Sequence, residues 1–407
     1  MLPVVVVTIG VFCVVVLDGL VAGMISNMID KTACFRSGHL KVITRAYSLN
    51  DEQKPIDMAM LEVDQIMEEL TSLFPQVDWN PRIYFGGVLD IPDAHGETRA
   101  QGPIAATAFD LLSPESQESK RIGLEHAVTA GNLIQKRGEV LISFDFAERF
   151  GVQPGDSLTF FGATMYGSLS FANFAIAGVV RFGIAALDRG AIVLDLADAR
   201  DLLDMDNAAG EILGFLPNGV YHGERAESIK NEYNELYIND SDEYAPTMIE
   251  LADQNSMAGT IVYYNFISLM MLVLLVIALS IVLWNTGVLG GIRRYNEFGV
   301  RLAMGELKGH IYGTLLTESL FIGLIGSVLG TALGLILSFY VSKYGVRYGG
   351  VMDTSSLLID PVIRARITLR MYYIGFFPGV TSMLIGSALA GIAVYKRKTA
   401  ELFKELG

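Results

Sequence analysis

The stretch Ile261-Val-Tyr-Tyr-Asn-Phe-Ile-Ser-Leu-Met-Met-Leu-Val-Leu-Leu-Val-Ile-Ala-Leu-Ser-Ile-Val-Leu-Trp284 decides the fold of this chain. It holds no charge and exceeds the roughly 20 residues, at about 1.5 Å rise, that cross about 30 Å of hydrocarbon. Three more runs share its character. Leu2 to about Met24 carries only Asp18, Ile311 to Tyr340 carries only Glu318, and Met371 to Tyr395 carries none. Four transmembrane helices are expected, over 1–28 with a stalk, 261–285, 311–340 and 371–395. The first run has no basic segment ahead of it and outruns the usual 7–15-residue core of a signal peptide, so it reads as an anchor.

Composition agrees. Of 407 residues 51% are hydrophobic and 18% charged, against about 45–50% and about 25% in ordinary soluble domains. Disordered and fibrous classes are excluded. The formal net charge of −14, with no useful basic run, argues against nucleic acid as a partner. Two cysteines, Cys13 and Cys34, lie on either side of an expected membrane boundary and form neither a disulfide framework nor a metal site.

Four spans put both ends on one side, and basic residues indicate the cytoplasm. Arg293, Arg294, Arg301 and Lys308 fill the loop 286–310, and Lys396, Arg397 and Lys398 open the tail 396–407. The loop 341–370 goes against the rule, because Lys343, Arg347, Arg364, Arg366 and Arg370 then lie outside. Residues 29–260 become an extracytoplasmic domain with 17 basic and 36 acidic residues, a net of −19, leaving +5 for the rest.

That domain reads as mixed α+β. A strand is expected over His39–Tyr47 and a helix over Pro55–Phe74. Further strands are expected at Arg82–Leu89, Ile104–Phe109, Glu139–Ser143, Ser157–Phe161, Phe171–Val180 and Ala191–Leu194, with helices at Ala197–Leu203 and Ala226–Tyr237. Gly151-Val-Gln-Pro-Gly-Asp156 reads as a turn entering a strand. The acidic pairs Glu68/Glu69 and Asp204/Asp206, with Asp201, match no calcium-loop spacing and read as solvated helix faces. His39, His95, His126, His222 and His310 are scattered, and GxSxG, SxxK and Walker A patterns are absent, so no catalytic site, metal site or nucleotide cofactor is expected.

The loop Gly291-Ile-Arg-Arg-Tyr-Asn-Glu-Phe-Gly-Val-Arg-Leu-Ala-Met-Gly305 is the most informative short segment. Its mixed charges and interleaved apolar residues describe either a surface helix for a groove on a cytosolic partner or a plain topology signal. The run Arg294–Gly305 closely resembles the signature of the FtsX-like and MacB-like permeases, membrane subunits of ABC transporters of the mechanotransmission class. Ser37–Val42, Leu141–Leu158 and Thr317-Glu-Ser with its following glycines resemble other family segments. In layout the chain is similar to the lipoprotein-releasing permeases, since it carries no nucleotide-binding domain.

The resemblance implies a coupling helix docking on a cytosolic ATPase that binds ATP and Mg, with Arg294, Glu297, Phe298, Gly299, Arg301, Ala303 and Gly305 as contacts. It implies a porter-like lobe from about 36–110 and 208–256, with a second lobe inserted over about 111–207. A second permease, identical or paralogous, would pair with this one, and an extracytoplasmic carrier or lipoprotein would meet the external domain. Location in the bacterial inner membrane follows. Family members open with a basic cytosolic segment, whereas Met1 here leads straight into Leu2-Pro-Val-Val; either the start is truncated or this branch lacks that helix.

The spans carry their own signals. Gly326, Gly330 and Gly334 repeat every fourth residue, and Ser382, Gly386 and Ala390 do the same, patterns that let helices approach closely within a chain or between copies. Glu318 and Asp18 are intramembrane charges, each costing about 2.5–3.5 kcal/mol at mid-bilayer unless hydrated or paired.

Overall fold

The computed structural model describes residues 2–93, 95–182, 190–254, 257–347 and 362–396. They fall into a helical unit, drawn from both ends of the chain, and a strand-rich unit between Met28 and Ile261.

In the helical unit, four segments are long and apolar enough to cross a membrane. Three are continuous helices, Leu2–Thr32, Met257–Ile292 and Lys308–Tyr344, of 31, 36 and 37 residues. At about 1.5 Å per residue each outruns a bilayer core, so the helices continue past the expected limits at 28, 261–285 and 311–340. The fourth departs from expectation. It is not one helix over 371–395 but a 3₁₀ turn at Leu369–Tyr372, a π-helical turn at Phe377–Thr381 and an α-helix at Ser382–Lys396. Pro378, which has no N–H to donate, stands in the π turn and breaks the regular ladder. Arg397, Lys398 and the tail to 407 lie outside the described residues, as does the loop 348–361.

In the strand-rich unit, strands β1 (Leu40–Thr44), β2 (Asp78–Pro92), β3 (Thr98–Phe109), β4 (Val128–Gly131), β5 (Glu139–Ser143), β6 (Ser157–Ala163), β7 (Leu169–Val180), β8 (Ala191–Asp195), β9 (Glu211–Phe215) and β10 (Pro246–Glu250) form one sheet, ordered β10-β1-β9-β2-β3-β8-β5-β7-β4. Strand β6 pairs with both β7 and β2, so β2-β3-β8-β5-β7-β6 closes into a six-stranded barrel. Its interior is filled by side chains, among them Phe85, Leu89, Val140, Leu158, Phe160, Phe174, Ile192 and Leu194. A second core packs helices Val63–Leu73 and Gly223–Leu236 against β1, β9 and β10 through Leu40, Val42, Leu70, Ile212, Ile229, Tyr233 and Met248.

The boundary between these cores falls inside β2. Asp78–Arg82 pair with β9, while Ile83 onward pairs with β3 and faces the barrel. This moves the expected lobe limit from 110 back into β2, because the later part of β2 and β3 line the barrel core. Tyr47, expected in the opening strand, lies in helix Arg45–Leu49, capped by the Thr44 hydroxyl, which accepts from the Tyr47 amide at 3.0 Å. The expected helix Pro55–Phe74 is interrupted at Glu62, whose φ of 54° is left-handed, and runs only over Val63–Leu73. The turn at 151–156 stands as read, with Gly151 and Gly155 at φ 61° and 99° ahead of β6.

Candidate functional site

The loop between the second and third spans folds into a nine-residue helix, Tyr295–Ala303. It ends in a Schellman closure: the Gly305 amide bonds Leu302 O at 3.1 Å and the Glu306 amide bonds Arg301 O at 3.1 Å. Gly305 takes φ +91° there, so the closure itself asks for glycine at this position. Phe298 and Leu302, one turn apart, pack on Ile311 and Leu315 of the third span. Phe298 is 2% exposed and Gly299 is buried, which removes both from the expected partner contacts. The outward face carries Val300, Ala303, Met304 and Leu307, the last two 75% and 78% exposed.

Charges organise the same helix. Arg294, at its N-cap, donates from Nε to Glu297 Oε2 at 2.8 Å and from Nη2 to Oε1 at 3.2 Å, and Arg301 Nη2 adds a bond to Oε1 at 2.9 Å. The Arg294 hydrogen bonds, helped by the charge of Arg301, hold the Glu297 carboxyl below the usual carboxylate range. Arg294 Nη1 also bonds Glu318 on the third span, so that span charge is paired and half-exposed. Three of the residues singled out from sequence thus join a fourth, Glu318, in one chain of ion pairs.

The glycine stripe is spent within the chain. A Cβ at Gly326, Gly330 or Gly334 would stand 2.6 Å from Val7 Cγ1, 2.6 Å from Thr8 O and 2.8 Å from Val15 Cβ, all on the first span. Gly386 likewise faces Trp284 O on the second span, at 2.4 Å. Of the two readings left open by the sequence, the contacts take the one within the chain: these small residues are occupied by helix contacts inside the bundle.

Asp18 is also paired. It accepts from Arg370, with Nε at 3.4 Å and Nη2 closer, at the head of the fourth span. Residues 364–371 lie as a strap along the first span. The Arg366 amide bonds Gly19 O at 2.9 Å and its guanidinium reaches Ser26 Oγ at 2.5 Å. Gly23 is required beneath it, since a Cβ would stand 1.9 Å from Arg364 O.

Residues 1–231 match the MacB-like periplasmic core domain family and residues 267–399 the FtsX-like permease C-terminal family. The first match takes in more than half of the 407 residues. The chain belongs to the FtsX/MacB-like ABC permease superfamily. Among solved structures, the periplasmic region of MacB from Actinobacillus actinomycetemcomitans is similar at 10% identity, over 56% of this chain and 95% of that chain, with a TM-score of 0.36. Sequence comparison finds no match to a curated protein.

Two features of this permease's strand-rich unit escaped sequence reading. The first is a buried charge network where the two cores meet. Lys41 Nζ bonds Asp51 Oδ1 at 3.1 Å and Glu211 Oε2 at 3.2 Å, Lys54 bonds the same two carboxylates, and Tyr47 donates to Glu211 at 3.0 Å. Burial pushes the Lys41 ammonium down despite Glu211, whereas Glu211 and Asp51 outweigh burial at the more open Lys54 and push it up. Alongside, the fully buried Arg82 donates to Glu118 Oε2 at 2.7 Å and to Cys34 O at 2.8 Å. Glu211 stands far along the chain from Lys41, Tyr47 and Lys54, and such a pairing leaves no local pattern. Of the acidic groups considered for a cation, Asp201 accepts from Arg137 and Glu69 accepts from Tyr237 at 2.7 Å.

The second feature is the β6–β7 hairpin. Residues 157–180 contain no charge, in a domain of net −19. Phe161 pairs with Phe171 and Ala163 with Leu169 on the outer barrel face, and Tyr166 stands at the tip. Leu169 is 82% exposed, Tyr166 73% and Phe171 71%. The absence of charge over 24 residues was the sequence signal available.

Proposed function

We propose that this chain is the membrane subunit of an ABC machine that couples ATP hydrolysis on a separate cytosolic subunit to movement of its strand-rich domain outside the inner membrane. The work extracts or expels a hydrophobic substrate such as a lipoprotein, drug or peptide. ATP and Mg belong to the partner, this chain performs no catalysis, and a second permease completes the assembly. The observation that carries this reading is the amphipathic helix Tyr295–Ala303, seated by Phe298 and braced by Arg294 to Glu318, with Val300, Met304 and Leu307 left outward. An apolar face rimmed by fixed charges is what a groove on a partner accepts.

The experiment is co-purification of the ATPase with the full chain in lipid discs, comparing Val300→Asp/Leu307→Asp with the parent. Loss of the ATPase from a variant of unchanged thermal stability supports the reading, and full retention opposes it. A second reading, a transducer that switches an extracytoplasmic enzyme without transport, draws on the uncharged hairpin as a protein-docking surface. Crosslinking from Tyr166 in cells separates the two by what is captured, a lipidated cargo or a hydrolase.

A further inference from the structure

Five basic residues, Lys343, Arg347, Arg364, Arg366 and Arg370, occupy the loop that the four-span reading places on the outer side, where basic residues are ordinarily scarce. The structure accounts for two. Arg370 neutralises Asp18, and Arg366 ties the strap to Ser26 and Gly19. Lys343 and Arg364 have no acidic partner among the described residues, and both are exposed.

These two cations are held together by backbone. Strands β11 (Val346–Arg347) and β12 (Val362–Ile363) pair antiparallel, with Val346 opposite Ile363, so the next step sets Arg364 beside Gly345, two residues from Lys343. Exposed aromatic rings mark the depth. The Tyr340 and Tyr344 rings lie 4.8 Å apart and tilted in the last turn of the third span, Lys343 Nζ stands 5.5 Å from the Tyr344 ring centroid, and Tyr372 and Tyr373 stand at the head of the fourth. Tyrosines at span ends sit at the headgroup layer, apolar ring toward lipid and hydroxyl toward water. Cations at that level face phosphates, and an unpaired pair of them discriminates for lipids whose headgroup leaves a net negative charge.

We propose that Lys343 and Arg364 form a binding site for the headgroup of an anionic phospholipid in the outer leaflet. The proposal rests on the four-span reading given above. The site gives a role to two cations that have no acidic partner among the described residues, and it fixes the strap, the third span and the lipid at one depth.

The test uses the full chain in mild detergent, titrated with phosphatidylglycerol or phosphatidylcholine and read by native mass spectrometry as the lipid-bound fraction. The parent should prefer phosphatidylglycerol, and Lys343→Gln/Arg364→Gln should weaken that binding roughly thirtyfold, about fivefold per cation. Arg225→Gln, an exposed arginine of the other unit, should leave it unchanged. Equal binding of the two lipids by the parent, or undiminished preference in a folded double variant, overturns the proposal. Displacement of the lipid by millimolar inorganic phosphate overturns it as well, by making the site one for free anions. Release of the chain from membranes by alkaline carbonate would overturn the membrane reading itself, whereas lost selectivity in a carbonate-resistant chain overturns this site alone.

Discussion

Acid should destabilise the strand-rich unit through one residue. His39 is fully buried just ahead of β1, where Nδ1 accepts the Leu216 amide N–H at 2.9 Å and the ring packs on Phe215 and Tyr221 at 5.7 and 5.9 Å. Burial, with smaller repulsion from Arg121 and His222, pushes its pKa from 6.5 down to about 4. Protonation would turn Nδ1 from acceptor to donor against an N–H that also donates. Because the folded pKa is the lower one, the unfolded chain takes up the proton first. The stability carried by the neutral ring is therefore complete above pH 6.5 and is lost as pH falls toward about 4. At about 1.36 kcal/mol per unit the full shift corresponds to about 3.4 kcal/mol, of which about 2.5 kcal/mol is gone by about pH 4.5. The assay is urea unfolding of the full chain in detergent at about pH 7.5 and about pH 4.5, read by Trp79 fluorescence in a Trp284→Phe background. His39→Asn, whose Oδ1 can accept the Leu216 amide, should show a loss between the two pH values smaller by about 2.5 kcal/mol. An equal loss in parent and variant would refute the assignment.

Three further outcomes follow from the packing. Gly330→Leu should destabilise the helical unit by about 1–3 kcal/mol or more in thermal unfolding, since its Cβ meets Thr8 O and Val11, whereas Gly290→Ala, facing open space, should be neutral or stabilising. Arg82→Met should cost about 3–5 kcal/mol by leaving Glu118 buried with Arg121 alone, and adding Glu118→Gln should recover part of it. Asp18→Asn and Arg370→Gln should be non-additive by about 0.5–3 kcal/mol in a double-mutant cycle, and additivity would mean that the pair does not couple the strap to the first span.

The spans were readable because uninterrupted apolar length is a local property. Strand β5 was readable to the residue for a similar reason, Glu139-Val-Leu-Ile-Ser143 being a short β-branched run bounded by Gly138 and Phe144. Strands β9 and β10 were missed because one opens on Glu211 and the other on Pro246, residues that weaken a strand pattern until their partners are known. Closure of the barrel depends on β6 meeting β2, with Phe161 opposite Val88, a non-local pairing that no periodicity encodes. At the candidate site the mixed charges marked the segment, and the family resemblance, not any spacing, singled out Arg294, Glu297 and Arg301, which the structure joins in ion pairs. It could not separate inward Phe298 from outward Val300, Met304 and Leu307, because that split depends on which face meets Ile311 and Leu315. The glycine stripe shows the same limit: spacing announces a close helix contact without naming the helix.

Transmission of a cytosolic ATP cycle to the strand-rich unit is tested most directly by a distance. With Cys13 and Cys34 replaced, a spin label at Tyr166→Cys on each of two paired copies reports the separation of the hairpins by pulsed electron resonance in lipid discs containing the ATPase. Two different separations are predicted, one with ADP and one with ATP trapped on a hydrolysis-deficient ATPase. A single separation in both states, in a complex whose parent still turns over ATP, would contradict the coupling.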